Sequence, residues 1–313
     1  DFGVSTTTTT TVPATTTTAS GPSGPTGTTT TAVPTTTLPP APLFDNRGVD
    51  AHLSVLVAFA SAPNIGYRLV AGDGGIFSFG QSGYFGSMGG KRLNRPMVGI
   101  DRTPSDQGYW TVASDGGIFS FGDAKFYGST GGMRLVRPIV GMAATPTGKG
   151  YWLVASDGGI FAFGDAKFFG SIGGLPLARP VVGMAVTPTG KGYWLVADDG
   201  GMFAFGDAAF FGSTGGFPLA QPIVGMAARP TGGGYWLVAR DGGIFSFGDA
   251  KFYGGANVRG PQFPITGMAA TNAGDGYWVV AQDATVYAFG GAPFFGPTLP
   301  LNLFEEVVAI APS

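Results

Sequence analysis

The chain has 313 residues, a formal net charge of −2 at pH 7, and charged side chains at only 12% of its positions, about half the globular average of roughly 25%. This balance offers no basic footprint for nucleic acid and no polybasic patch for a membrane surface. The absence of cysteine excludes disulfides and thiolate metal sites but leaves the compartment open.

From Phe2 to Phe44 there is no charged residue, and threonine dominates. The runs are Thr6, Thr7, Thr8, Thr9, Thr10 and Thr11, then Thr15, Thr16, Thr17 and Thr18, then Thr28, Thr29, Thr30 and Thr31, and finally Thr35, Thr36 and Thr37. Pro13, Pro22, Pro25, Pro34, Pro39, Pro40 and Pro42 interrupt them. Such a segment has too little apolar surface to offset the entropy of ordering it. Its Thr/Pro composition predicts an O-glycosylated stalk carried on those hydroxyls. Proline biases it toward an extended form that reaches on the order of 120 Å over 40 residues. No asparagine opens an Asn-x-Ser/Thr sequon, so any sugar is expected on hydroxyls. The arm is expected to span residues 1–45 and the folded domain residues 46–313. The sequence begins at Asp1 without a signal-peptide pattern, and a processed or shortened chain is expected. The longest apolar stretch, Val55 to Ala60 with Leu53 before it, falls far short of the ~20 residues a spanning helix needs.

After the arm, a motif of the form GYWLVAxDGGIFxFG returns every 42 residues, with its tyrosine at Tyr67, Tyr109, Tyr151, Tyr193, Tyr235 and Tyr277. A fixed period of that size, rich in strand formers and punctuated by Gly and Asp, marks a closed β-repeat array. In residues 137–174, strands are expected at Ile139 to Ala144, Tyr151 to Ala155 and Ile160 to Phe163, with a short outer strand at Lys167 to Ser171. The link Asp157-Gly158 supplies the positive φ of a tight hairpin. In the second strand both faces are apolar: Tyr151, Leu153 and Ala155 on one side, Trp152 and Val154 on the other. A sheet buried on both faces suits a blade wedged between two others, so the expected fold is all-β, a six-bladed β-propeller.

The strand before each Gly-Tyr occurs seven times and the others six. Val55, Leu56, Val57 and Ala58 at one end match Val307, Val308, Ala309 and Ile310 at the other. A ring of six needs one copy. The other is expected either to fray or to add a fifth strand, or to pair with a neighbouring molecule by β-augmentation. Arg68 also departs from the pattern, standing where the later repeats carry Trp110, Trp152, Trp194, Trp236 and Trp278. Any partner is expected to touch such exceptions.

These residues resemble the GYWLVASDGGIFAFGDA-type arrays of actinobacterial secreted and surface proteins that carry Thr/Pro stalks, a likeness covering residues 53–313. More distantly, the order of residues 137–174 is similar to repeats of the regulator-of-chromosome-condensation family. The repeat here is shorter and lacks a histidine before the second strand, so that second resemblance implies fold and not exchange activity.

The catalytic inventory is thin. His52 is the single histidine, and Glu305 and Glu306 are adjacent, so they cannot flank a substrate as a glycosidase pair must. The aspartates recur in two slots, the hairpin (Asp73, Asp115, Asp157, Asp199, Asp241) and the turn after the third strand (Asp123, Asp165, Asp207, Asp249), where turn chemistry is expected rather than a cation site. No catalytic residue, cofactor or metal is therefore expected. The pairs Phe126-Tyr127, Phe168-Phe169, Phe210-Phe211, Phe252-Tyr253 and Phe294-Phe295 are candidate platforms for glycans or for another subunit's arm, one ring of each pair facing out. The expected protein is an extracellular or cell-surface structural or adhesive subunit without enzymatic activity, its partners copies of itself. The alternative is a monomeric, tethered, lectin-like propeller binding glycans.

Overall fold

A computed structural model describes residues 66–296 and 306–312, together with the backbone of residues 56–57. The chain divides into two units, Asp1–Arg47 and Gly48–Ser313. The Thr/Pro arm, its candidate glycosylation sites, His52, Val55, Ala58 and Glu305 all lie outside the described residues. The strands begin with β1 (Leu56–Val57), β2 (Gly66–Ala71), β3 (Ile76–Gly80), β4 (Met97–Arg102), β5 (Gly108–Ala113) and β6 (Ile118–Gly122). They continue with β7 (Ile139–Ala144), β8 (Gly150–Ala155), β9 (Ile160–Gly164), β10 (Val181–Val186), β11 (Gly192–Ala197) and β12 (Met202–Gly206). The rest are β13 (Ile223–Ala228), β14 (Gly234–Ala239), β15 (Ile244–Gly248), β16 (Ile265–Ala270), β17 (Gly276–Ala281), β18 (Val286–Gly290) and β19 (Val307–Pro312).

These strands form six antiparallel sheets, one per repeat, whose innermost strands contact one another in a closed circuit: the all-β, six-bladed propeller. Blades 2 to 6 take their inner, middle and outer strands in chain order, β4-β5-β6 through β16-β17-β18. Blade 1 is β19-β2-β3, so the chain's last strand closes the ring. Around the channel the inner strands approach closely at their central glycines. A Cβ on Gly99 would meet the Cα of Gly141 at 3.6 Å, an ordinary contact, and a Val112 methyl at 3.1 Å, which would have to give by a few tenths of an ångström.

The middle strands are buried along their whole length, as their two apolar faces require. Each face packs on a different neighbour. Trp110 and Val112 of blade 2 meet Tyr151 and Leu153 of blade 3, and Trp278 and Val280 of blade 6 meet Tyr67 and Leu69 of blade 1. Burying one such large side chain contributes about 2–3 kcal/mol, and the contact repeats around the ring.

The fourth, outer strand does not form; each described blade has three strands of its own, and the segment after the third is irregular. Gly170 in that segment has φ +138°, far from the roughly −140° of an antiparallel strand. Its backbone groups are taken instead by two side chains. Trp152 Nε1 donates to the Lys167 carbonyl at 2.7 Å, while Tyr193 Oη of the next blade accepts from Phe169 N at 3.1 Å and donates to the Gly170 carbonyl at 2.6 Å. The tyrosine that announces each repeat is thus a rivet to the blade before it. Tyr67 extends the scheme across the closure, donating to the Gly296 carbonyl. Burial raises the Tyr193 phenol and pushes Tyr67 and Tyr277 up to about 12, so each is held protonated as a donor. Tyr193→Phe removes one donor and one acceptor at a single blade boundary and is expected to cost about 1–3 kcal/mol, read from urea unfolding midpoints.

The aspartates serve the turns. Asp157 Oδ1 accepts from Gly159 N at 2.9 Å, and Gly158 between them has φ +76°. In the second slot Asp165 accepts from the hydroxyls of Thr145 (2.9 Å) and Thr147 (2.5 Å), pinning the turn between the inner and middle strands.

Candidate functional site

The two copies of the inner strand have different fates. β19 pairs antiparallel with β2 as the inner strand of blade 1. β1 pairs parallel with β4, Leu56 opposite Gly99 and Val57 opposite Ile100, and also lies close to each of the other five inner strands. Only the axis of a propeller is near all six inner strands at once, so β1 occupies the central channel. It adds a short parallel strand to the inner edge of blade 2's sheet and does not close the ring. A parallel alignment also means that β1 and the inner strands run in one direction along the channel.

Of the candidate platforms, Phe126, Phe168, Phe210, Phe252 and Phe294 project outward, Phe168 at 61% exposure. Their partners Tyr127, Phe169, Phe211, Tyr253 and Phe295 turn inward onto the next blade's tyrosine. Each exposed ring belongs to a different blade, so they do not converge on one site. Tyr84, one repeat before Phe126, is equally exposed. The 42-residue step back from Phe126 leads directly to it. In the cleft between blades 4 and 5, Phe217 and Phe252 flank a groove of about 480 Å³ beside β15.

A charged cluster that the repeat reading overlooked sits between blades 1 and 2. Arg68 is fully buried in the tryptophan position, which removes it from any partner surface and corrects the expectation that it marks a contact. Its Nε donates to the Gly83 carbonyl at 2.9 Å, fifteen residues on, the same offset as from Trp152 to Lys167. The guanidinium lies over Tyr109 and Phe85, 5.3 and 5.7 Å from the ring centroids, and its Nη1 binds Asp106 Oδ1 at 2.6 Å. Asp106 itself has φ +57°, where the other blades place Gly148, Gly190, Gly232 or Gly274. A non-glycine residue accepts that strained conformation here, and its carboxylate neutralises the buried arginine.

Two further exceptions adjoin them. Asp101 and Arg102 replace the Ala143-Ala144 of the next repeat. Asp101 accepts from Ala144 N at 2.7 Å and from Arg102 N at 2.8 Å, tying the inner strands of blades 2 and 3. Arg102 is 1% exposed, its guanidinium makes no hydrogen bond, and its Nη1 stands 3.9 Å from Asp106 Oδ1. Comparing each residue with the one 42 positions on would have singled out Asp101, Arg102 and Asp106.

Burial raises the Asp101 carboxyl to about 7, against the opposing pull of its two backbone donors and Arg102. Between about pH 4 and 7 the folded chain keeps a proton there that the unfolded chain releases, so stability falls as pH rises through that window. The slope is at most about 1.4 kcal/mol per pH unit. Urea midpoints at pH 5 and 7.5 are expected to differ in the native chain and to draw together in Asp101→Ala.

Among the described residues no group of three or more His, Cys, Asp or Glu side chains is placed to hold a metal ion, and no helix is long and apolar enough to cross a membrane. Glu306 stands near Arg240 and Gln282 at the start of β19.

No protein-family description and no curated protein matches the chain. Among solved structures it is similar to the β-propeller domain of Cps50 (Swd1) from Myceliophteria thermophila, with a TM-score of 0.51 and 11% sequence identity, over 79% of this chain and 86% of that one. At that identity the likeness is one of fold, and a β-propeller is what the chain shares with it.

Proposed function

We propose that this protein is a non-enzymatic, extracellular structural or adhesive subunit that assembles with copies of itself through its N-terminal arm and its surplus strand. The observation that carries the reading is the position of β1. It is a second copy of the ring-closing strand, no blade needs it, and it pairs with one inner strand over just two residues. An inner-strand copy on a long arm suits a channel in its own propeller or in a neighbour's, and strand addition of that kind joins molecules through main-chain hydrogen bonds. The charge-poor, threonine-rich arm supplies reach and hydroxyls for glycans.

Light scattering and electron microscopy of the full chain and of a chain starting at Gly66 test this. Polymers from the first and monomers from the second are expected; a full chain that stays monomeric at every concentration defeats the proposal. The ring of six outward aromatics supports a second reading, a glycan-binding propeller, because such rings stack on sugars. Under that reading a glycan array returns ligands whose binding falls on Phe168→Ala.

A further inference from the structure

The cleft between blades 4 and 5 is unlike its counterparts. Phe217 and Phe252, 68% and 62% exposed, stand on either side of it. At 42-residue steps, the position of Phe217 is Lys91, Met133, Leu175, Arg259 or Leu301, so among the described residues this cleft alone has an aromatic there. No charged residue lines it. Along its floor runs β15, the last strand of its sheet, whose outer edge has no ladder partner.

We propose that this cleft receives the Pro39-Pro40-Ala41-Pro42 stretch of a second copy's arm. The use of a second copy rests on the assembly reading above. An extended proline segment docks between aromatic walls because its rings pack on them and its shape is set before binding, so little entropy is lost. Proline lacks an N–H, and its carbonyls are free to accept from a strand edge. Pro39 to Pro42 is the densest proline stretch of the arm, Leu43 and Phe44 follow it as apolar anchors, and like the cleft it carries no charge. The thirteen residues between Pro42 and Leu56 span about 40 Å when extended. That exceeds the ~18 Å radius of gyration expected for a domain this size, so the length allows an arm held in one channel to extend beyond its own domain.

The test places a photo-crosslinking amino acid at position 41 of the full chain and mixes ¹⁵N-labelled with unlabelled copies. Cross-links from position 41 to residues 213–217 or 244–252 in peptides of mixed label are expected, falling at least tenfold in Phe217→Lys, which installs the side chain of Lys91 at an exposed position. Phe126→Ser, in another blade, should leave them unchanged. Cross-links confined to one label, to other surfaces, or insensitive to Phe217→Lys overturn the proposal. Light scattering on the same samples separates the two readings: polymers without cleft cross-links refute the cleft alone, and monomers throughout refute assembly and the second-copy source with it.

Discussion

A chain ending before Val307 is expected to lose its cooperative unfolding transition, whereas a chain starting at Gly66 should melt within a few degrees of the full-length protein. The two truncations remove copies of the same strand, so composition alone predicts equal effects. Their places differ. β19 is the inner strand of blade 1, and Val307, Ala309, Ile310 and Ala311 are fully buried in it. Val307 and Ile310 pack with Trp278 of blade 6, while Ala309 and Ala311 pack with Val70 and Met97 on the other side. Burying two branched and two small side chains contributes about 5–8 kcal/mol, comparable with the ~5–15 kcal/mol stability of a whole domain. The loss also leaves β2 as an open edge beside an unsealed interface. β1 contributes two paired residues to a blade that is already complete. Differential scanning calorimetry of the two truncations decides the matter, and equal losses would mean that β1 shares the work of closure.

Asp106→Ala is expected to cost about 3–5 kcal/mol, the usual penalty for leaving a buried charge without its partner. Two guanidiniums depend on that carboxylate, Arg68 at 2.6 Å and Arg102 at 3.9 Å. The pair Arg68→Trp with Asp106→Gly gives blade 1 and its neighbour the residues of the other repeats. It should recover the part of the loss that belongs to Arg68, since a well-packed apolar substitute for a buried ion pair is often neutral or stabilising, while Arg102 stays without that carboxylate. Adding Arg102→Ala, matching Ala144, should stabilise further by removing a buried guanidinium with no hydrogen bond. Urea unfolding of the single, double and triple variants measures all three steps. A single variant within 1 kcal/mol of the native chain would show that solvent already reaches the cluster.

The period, the blade number, the doubly apolar middle strand and the Asp-Gly hairpin are legible in the residues, because each depends on contacts within a repeat or on one copy meeting the next. The outer strand was misjudged for a local reason. Lys167 to Ser171 alternates like a strand, but Gly170 adopts φ +138° and its backbone partners are the side chains Trp152 and Tyr193. The latter comes from another blade, and a strand template has no place for it. One ring of each aromatic pair faces out and the other in, as expected, but in a segment that is not a strand: the inward ring is held by its contact with the next blade's tyrosine. The charged cluster is not legible from the ends of the array, because Asp101, Arg102 and Asp106 break the period inside the second repeat.

Repetition by itself determined the architecture, because a 42-residue unit that cannot bury both faces alone has to stack on its neighbours until the ring closes. It also supplied two equivalent strands and no means of ranking them. Only the tertiary structure decided that β19 closes the ring and β1 enters the channel. The reason is geometric: a closing strand completes blade 1 beside β2 and seals two interfaces, while its copy, alike in sequence, finds its one backbone partner in β4 on the channel axis.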